Sequence, residues 1–261
     1  MNNVNKTLYI PLYGKAYVSR KGVILSDKKA EEIWEKEGFD LKGKSKSKWL
    51  AYYMGMRSKV YDNWVNEQIN CTENPIVLHI GCGMDSRCER IQAKACLWYD
   101  VDFPQVIEER KMYYSETEAY HMLCADARRT DWISNLPCKN AVVVLEGISM
   151  YFTHNEMNNL LKALSTHFES VKVLMDCYTV KAAKASKYRN PVNDVGVTVV
   201  YGTDSPAVFT DNTGLVFVKE HSMTPENLTS QLTGAEGFVF RIFYGGAIAR
   251  AMYRMYEYKS K

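Results

Sequence analysis

The sequence has no two cysteines at the two-residue spacing of a zinc knuckle or a thioredoxin-type motif. Its seven cysteines (Cys71, Cys82, Cys88, Cys96, Cys124, Cys138 and Cys177) are odd in number and irregularly spaced. A metal or redox module built on thiol pairs is therefore excluded, and no metal site is expected. Several of these residues sit in apolar runs, where a free thiol behaves as a small hydrophobe, which fits a reducing compartment and a cytoplasmic location. Long hydrophobic runs are also missing. Stretches such as residues 141–145 are far short of the roughly 20 residues that span a bilayer, so no membrane partner is expected. The opening residues, MNNVNKTLYIPLYGK, hold no basic stretch followed by a long apolar one, and no secretory signal is expected. Neither sign of charge dominates: 33 Lys and Arg face 30 Asp and Glu, too small an imbalance for a nucleic-acid-binding protein. There is no internal repeat and no long low-complexity tract.

What is present reads as one domain over residues 1–261. Hydrophobic residues make up 46%, enough for a sizeable core. Residues 1–70 are helical and polar. A helix is expected over 26–37, opened by Ser26 or Asp27, then a Gly- and Lys-rich loop over 38–48, then a longer helix over 48–69. On that longer helix Leu50, Tyr53, Met54, Val60, Tyr61, Trp64 and Val65 share a face, with Arg57 at its centre. A charge there must snorkel out or meet an anion, either a structural carboxylate or a ligand.

From residue 75 short β-rich runs alternate with helical patterns. Strands are expected over 76–80, 96–101, 119–124, 141–145 and 171–177. Helices are expected over 104–117, with Pro104 in its first turn, and from a Thr153–Glu156 capping box to about His167. Alternation of this kind means right-handed crossovers and a largely parallel α/β sheet. Beyond it, residues 178–222 hold a helical piece and strand-like runs at 197–201 and 215–219. Thr224-Pro225 opens another helix. Residues 238–244 and 252–258 are expected as two closing, antiparallel strands, the second with a helical alternative.

The chemistry gathers at strand ends. In IVLHIGCGMDSR, residues 76–87, the glycines Gly81 and Gly83 flank Cys82 and allow a tight turn with close ligand approach. Ser86 takes the place of the third glycine of a dinucleotide fingerprint, which argues against a pyrophosphate ligand; S-adenosylmethionine needs no such glycine. Asp102 stands 19 residues after Gly83, where an acid accepts the two ribose hydroxyls of an adenosyl group, or caps the next helix. Asp100 lies deeper on the same face. Asp126, past the third strand, suits an adenine amino group or a plain turn. Glu146, followed by Gly147, ends the fourth strand. Ligands of open α/β sheets bind outside these carboxyl ends, so Arg57, Asp102, Asp126 and Glu146 together point to one polar pocket.

IVLHIGCGMDSRCERI, LWYDVDFPQVIEERK, CADARRTDW and VVLEGISMYFTHNEMNNLL resemble successive blocks of the leucine carboxyl methyltransferase family, and MRSKVYDNWV resembles its arginine-bearing helix. The likeness runs over residues 48–170, and the family includes bacterial O-methyltransferases assigned to polyketide biosynthesis. The resemblance implies a class I methyltransferase Rossmann-like sheet with helices on both faces. Residues 1–70 would then be an N-terminal helical cap, 75–177 the cofactor-binding core, 178–222 an insertion forming part of the acceptor cap, and 223–261 a closing helix and strands. It implies S-adenosylmethionine as cofactor and S-adenosylhomocysteine as product. Arg57 would hold the methionine carboxylate and Gly81 to Gly83 would face the methionine part, with Asp85 nearby. Asp102 would bind ribose, Asp126 and Ala127 would flank adenine, and Glu146 would lie near the methionine part. Cys82, Phe103 and Gly147 complete the expected set of cofactor neighbours. His79, Cys88 and Glu89 depart from the family's pattern.

Methyl transfer needs a placed nucleophile and excluded water, and orientation alone recovers on the order of 7–11 kcal/mol. A carboxylate acceptor needs no base, whereas a hydroxyl acceptor does. None of His121, His154, His167 or His221 stands out as a base, so no catalytic residue is assigned. Tyr151 and Tyr201 are expected in the acceptor pocket. The acceptor is a small molecule, polyketide-like compounds among the candidates, or a peptide, and the protein a monomer or homodimer. The competing readings are a non-catalytic S-adenosylmethionine-binding protein and an NAD-dependent oxidoreductase.

Overall fold

Strands that are apolar on both sides belong where both faces are covered. A computed structural model describes residues 8–37, 41, 43–91, 96–186 and 199–261. Strands β1 (Ile76–Ile80), β2 (Leu97–Asp102), β3 (Tyr120–Cys124), β4 (Asn140–Leu145) and β5 (Ser170–Tyr178) run parallel. β6 (Leu215–His221) and β7 (Tyr253–Ser260) are antiparallel to each other, and β7 is antiparallel to β5. The described strands form one sheet of order β3-β2-β1-β4-β5-β7-β6. This is the largely parallel α/β sheet expected from the alternation of elements, and the Rossmann-like sheet that the resemblance implied.

Each central strand splits its side chains between two cores. Val77, Val142, Val144 and Leu174 face helix α3 (Lys48–Asn70) through Tyr61, Trp64 and Val65. Ile76, Leu78, Ile80, Val143 and Leu145 face the opposite way, onto Leu160, Leu161 and Leu164 of helix α6 (His154–His167). The predicted capping box opens that helix: Glu156 N–H donates to Thr153 Oγ1, and Thr153 N–H to the Glu156 carboxylate. Two earlier helices precede α3: α1 (Tyr9–Lys21) packs against α3, and α2 (Lys28–Glu37) packs against α1. Asp27 starts α2 by accepting from Ala30 N–H at 2.9 Å, as its position before the helix suggested. No described helix is long and apolar enough to cross a membrane.

Four expectations change. The second strand covers Leu97–Asp102, so Asp102 is its last residue, not one beyond it. The helix from Pro104 ends at Arg110 rather than Thr117. The chain turns there because Tyr114 tucks under the Arg110 guanidinium, 4.0 Å from its ring centre, and donates its hydroxyl proton to Met84 O. Residues 199–201 form no strand; only a single bridge joins Gly202 to Tyr178, and residues 197 and 198 lie outside the described set. The expected strand at 238–244 is helix α9 (Gly234–Phe243) instead. Its aromatic-rich run matches strand preference, but preference yields to context. Thr233 and Glu236 already had the T-x-x-E spacing of a helix start, and the helix buries Phe240 against Tyr52. The last expected strand is β7, in its strand form.

Candidate cofactor site

Five parallel strands bring their carboxyl ends to one edge of the sheet, and Asp102, Asp126 and Glu146 each close or follow one of them. The turn after β1 holds Gly81 at φ +72°, and a Cβ there would lie 2.3 Å from Ile148 Cγ2. Only glycine fits, because the left-handed backbone and the contact both exclude a side chain. Cys82 is buried in that turn, and burial pushes its thiol well above its ordinary pKa, so it is no thiolate. Gly83 N–H and Phe103 N–H each donate to one oxygen of the Asp102 carboxylate, both at 2.8 Å. Burial raises the pKa of Asp102 despite these two donors. Each of its oxygens keeps a lone pair for a further donor, the arrangement a vicinal diol needs. Asp100 is closed off, holding Arg110, Trp98 Nε1 (2.9 Å) and Tyr120 OH (2.7 Å).

Arg57 lies in the middle of α3 and is buried, facing the ends of β4 and β5. Its Nε donates to Glu146 Oε1 at 3.0 Å and its Nη1 to Asp176 Oδ2 at 3.4 Å. The anion that the sequence demanded is thus supplied within the chain. Among the described residues its Nη2 has no hydrogen-bond acceptor. Asp176 also accepts from Gly147 N–H (2.6 Å) and Tyr61 OH (2.9 Å), yet burial still leaves its pKa raised. Burial opposes ionisation of Glu146 as well, but Arg87 and Arg57 outweigh it and its pKa is lowered. Gly147 sits at φ +72°, where a Cβ would come within 3.0 Å of Arg57 Nη1. We expect Gly147→Ala to cost about 1–3 kcal/mol in strain and to push the guanidinium from its carboxylates. Chemical denaturation together with S-adenosylhomocysteine titration measures both effects; a variant of unchanged stability and affinity would show the close approach to be unimportant.

Behind these residues runs a buried ionic network. Asp85 meets Lys15 (3.2 Å), Arg87 (3.2 Å) and Arg90 (2.7 Å). Asp62 meets Arg87 and Arg90, each at 2.8 Å. Arg90 also reaches Asp27 at 2.7 Å, and Arg87 reaches Glu146. Ser86, in place of a third glycine, is engaged here: its hydroxyl donates to Asp27 Oδ1 at 2.6 Å and accepts from Arg90. Asp85 therefore holds the loop from behind through its cations, which keep its carboxyl well below the usual range in spite of burial. His79 fills the gap in the network, with Nε2 3.1 Å from Arg87 Nη1 and Nδ1 3.3 Å from Asp100.

The outer positions are more loosely placed. Asp126 is bound by its neighbour Arg128, through Nε (2.9 Å), Nη2 (2.7 Å) and the backbone N–H (3.0 Å), and those bonds hold its pKa down. This is the turn arrangement. The Arg128 guanidinium lies 5.8 Å from the centre of the Phe103 ring, so Asp126, Ala127 and Phe103 border one edge. Tyr151 follows Glu146 in a short 3-10 turn, and Tyr201 is brought beside it by a bond from its N–H to Met150 O at 2.8 Å. Cys88 and Glu89 line a cavity with Trp98 and Tyr120, at the amino ends of β2 and β3 and away from this edge.

Residues 6–165, more than half of the sequence, match the pattern of leucine carboxyl methyltransferases. The chain belongs to the leucine carboxyl methyltransferase family. It is accordingly a methyltransferase that uses S-adenosylmethionine. It is similar to the tetracenomycin polyketide synthesis O-methyltransferase TcmP of Streptomyces glaucescens, with 27% identity over 85% of this chain and 84% of that one. It is also similar to the S-adenosyl-L-methionine-dependent methyltransferase dpfgK of Gibberella zeae, with 26% identity over 64% of this chain and 62% of that one. The magnesium protoporphyrin IX methyltransferase of Synechocystis shares the fold, at a TM-score of 0.53 and 11% identity, over 95% of this chain and 97% of that one.

For this methyltransferase, the sequence reading missed Asp176 and the cations behind the glycine loop. Asp176 had a signal, since VLMD ends the fifth strand as VVLE ends the fourth. Arg87 and Arg90 directly follow the loop, but their direction is set by the short helix α4 (Arg87–Arg90) and was invisible. Lys15 carries no signal at all; it lies on α1, and only the packing of α1 brings it to Asp85.

Proposed function

We propose that the chain is an O-methyltransferase acting on a carboxylate or hydroxyl of a small-molecule acceptor, with a polyketide-like compound the leading candidate. The observation that carries this reading is Arg57 held between Glu146 and Asp176, with its Nη2 without an acceptor among the described residues and with no side chain at Gly147. In this reading Arg57 Nη2 holds the methionine carboxylate, Glu146 and Asp176 offset the ammonium and sulfonium charges, and Asp102 takes the ribose hydroxyls. The glycine turn admits the methionine part, with Cys82 beneath it and Asp85 holding it from behind. Phe103, Asp126 and Ala127 border the adenine.

When bound, S-adenosylmethionine supplies an electrophilic methyl group on a sulfonium, so that an acceptor oxygen forms the new O–C bond as the C–S bond breaks and its electron pair stays on sulfur. The chain's part is to place the oxygen and exclude water. A carboxylate acceptor arrives ionised and needs no proton taken from it. His79 is buried behind the glycine loop with its Nε2 against Arg87 Nη1, and His167 Nε2 is bound to Leu136 O, so neither is a base for this step. The described residues within 1–70 and 178–222 are the two parts of the acceptor cap, with Tyr151 and Tyr201 facing the acceptor, in a single domain whose expected location is the cytoplasm.

The test is calorimetric titration with S-adenosylmethionine, S-adenosylhomocysteine and NADH. Saturable binding of the first two and not the third is expected; binding of NADH alone overturns the reading. Asp102→Asn should weaken S-adenosylhomocysteine binding about 10- to 100-fold, the size of losing hydrogen bonds to a charged acceptor. It should also lower the thermal midpoint, because the amide nitrogen cannot accept from whichever of the Gly83 and Phe103 N–H groups it meets and leaves that donor unpaired. Unchanged affinity in that titration would remove Asp102 from the site.

A further inference from the structure

One polar atom at this edge of the sheet is not satisfied by the fold. Tyr53 lies one helical turn before Arg57 on α3, is 9% exposed, and its hydroxyl is buried without a hydrogen-bond partner among the described residues. Buried hydroxyls are almost always partnered, and an exception calls for an explanation. This one lies within electrostatic reach of Asp176, Arg57 and Tyr178, so it faces the ends of β4 and β5. Burial raises its pKa, which keeps it protonated and a donor.

The surroundings are aromatic. The Tyr53 ring is 5.7 Å from that of Tyr253, which in turn meets Tyr178 edge-on at 4.5 Å. Tyr178 ends β5 and Tyr253 begins β7, and the two are register partners across the sheet. The cofactor positions Gly81, Gly83 and Asp102 lie at β1 and β2, on the other side of β4. Beyond the rings the rim is apolar and exposed: Met252, which accepts from Thr179 N–H, and Val180 beside it, with Tyr201 close by through Met150.

We propose that Tyr53, Tyr178 and Tyr253 form the floor of the acceptor site and that the Tyr53 hydroxyl donates to the oxygen of a planar aromatic acceptor. This rests on the methyltransferase reading of the site and deepens it. Aromatic rings held at edge-to-face distances receive a flat aromatic partner well, and one donor at their centre fixes which oxygen it presents. An unpaired buried donor also makes the site selective, since an apolar analogue would leave it unsatisfied.

The experiment compares wild type with Tyr53→Phe, both loaded with S-adenosylhomocysteine and titrated calorimetrically with 2-naphthoate and 2-naphthol. At least one probe should bind wild type, and the variant should bind it about tenfold more weakly. S-adenosylhomocysteine affinity should stay within about twofold, and the thermal midpoint should be unchanged or higher, because the lost hydroxyl had no partner in the fold. Failure of both probes to bind wild type, or equal binding by the variant, overturns the assignment. A lower midpoint would give the hydroxyl to the fold, and a parallel loss of S-adenosylhomocysteine affinity would give it to the cofactor; either overturns it. Wild type that takes up no S-adenosylhomocysteine would instead bring down the methyltransferase reading and this one with it.

Discussion

Arg57→Ala will lose about 3–5 kcal/mol of stability, the cost of leaving buried charges without their partner. Among the described residues Glu146 would keep Arg87 alone, and Asp176 the Gly147 N–H and the Tyr61 hydroxyl. Both carboxyls are buried, so solvent does not screen the loss. In the proposed reading the same variant will bind S-adenosylhomocysteine about 10- to 100-fold more weakly, since the charge-assisted contact of Nη2 to the carboxylate would go with the side chain. Denaturant unfolding and calorimetry measure the two effects separately. Arg57→Lys divides them further. A lysine keeps the charge, but its compact head replaces a planar fork that reaches both acids and, in the proposed reading, the ligand as well, so stability should recover in part and affinity hardly at all. An alanine variant with wild-type affinity would leave Arg57 a structural residue only.

The proposed dual role explains why Arg57 was legible and yet ambiguous. A charge centred on an apolar helix face needs an anion, and the sequence offered two readings, a structural partner and a ligand. The structure contains the structural partners, and the geometry of Nη2 and Gly147 is what keeps the ligand reading open. The parallel strands were legible for a related reason. Buried on both faces, they read as short apolar runs, and an acid closing such a run marks the carboxyl edge. The end of the chain was harder. FVFRIFY is apolar at every position but Arg241, and beyond the Thr233–Glu236 spacing it is tertiary contacts that favour the helix: Phe240 against Tyr52, and Glu236 bonded to Lys48 and Tyr52. Asp126 shows the opposite limit. Its place after a strand was clear, but the neighbour that takes its carboxylate, Arg128, turns back on it by local geometry that spacing alone does not reveal.

Acid will unfold this protein through the same ionic core. Asp62, Asp85, Asp100 and Glu146 all have lowered pKa values, because the arginines around them outweigh the burial that opposes their ionisation. Asp100, held by Arg110 and His79, sits at about 2. A carboxyl whose folded pKa is depressed stabilises the fold above its unfolded value near 4, and that contribution is lost as pH falls through the folded value. For Asp100 alone the contribution is roughly 2–3 kcal/mol, lost between about pH 4 and pH 2. Asp176 and Asp102 act with the opposite sign, because burial has raised their pKa values, so their charged forms cost stability near neutrality and protonation relieves it. The denaturation midpoint should therefore hold or rise slightly from pH 7 to about 5, then fall steeply below about 4. Asp176→Asn should reduce the rise to the share of Asp102 and leave the fall in place. A midpoint already falling between pH 7 and 5 would mean that the acids of the core are not held ionised by their arginines, and the preorganised charge on which the cofactor site depends would go with them.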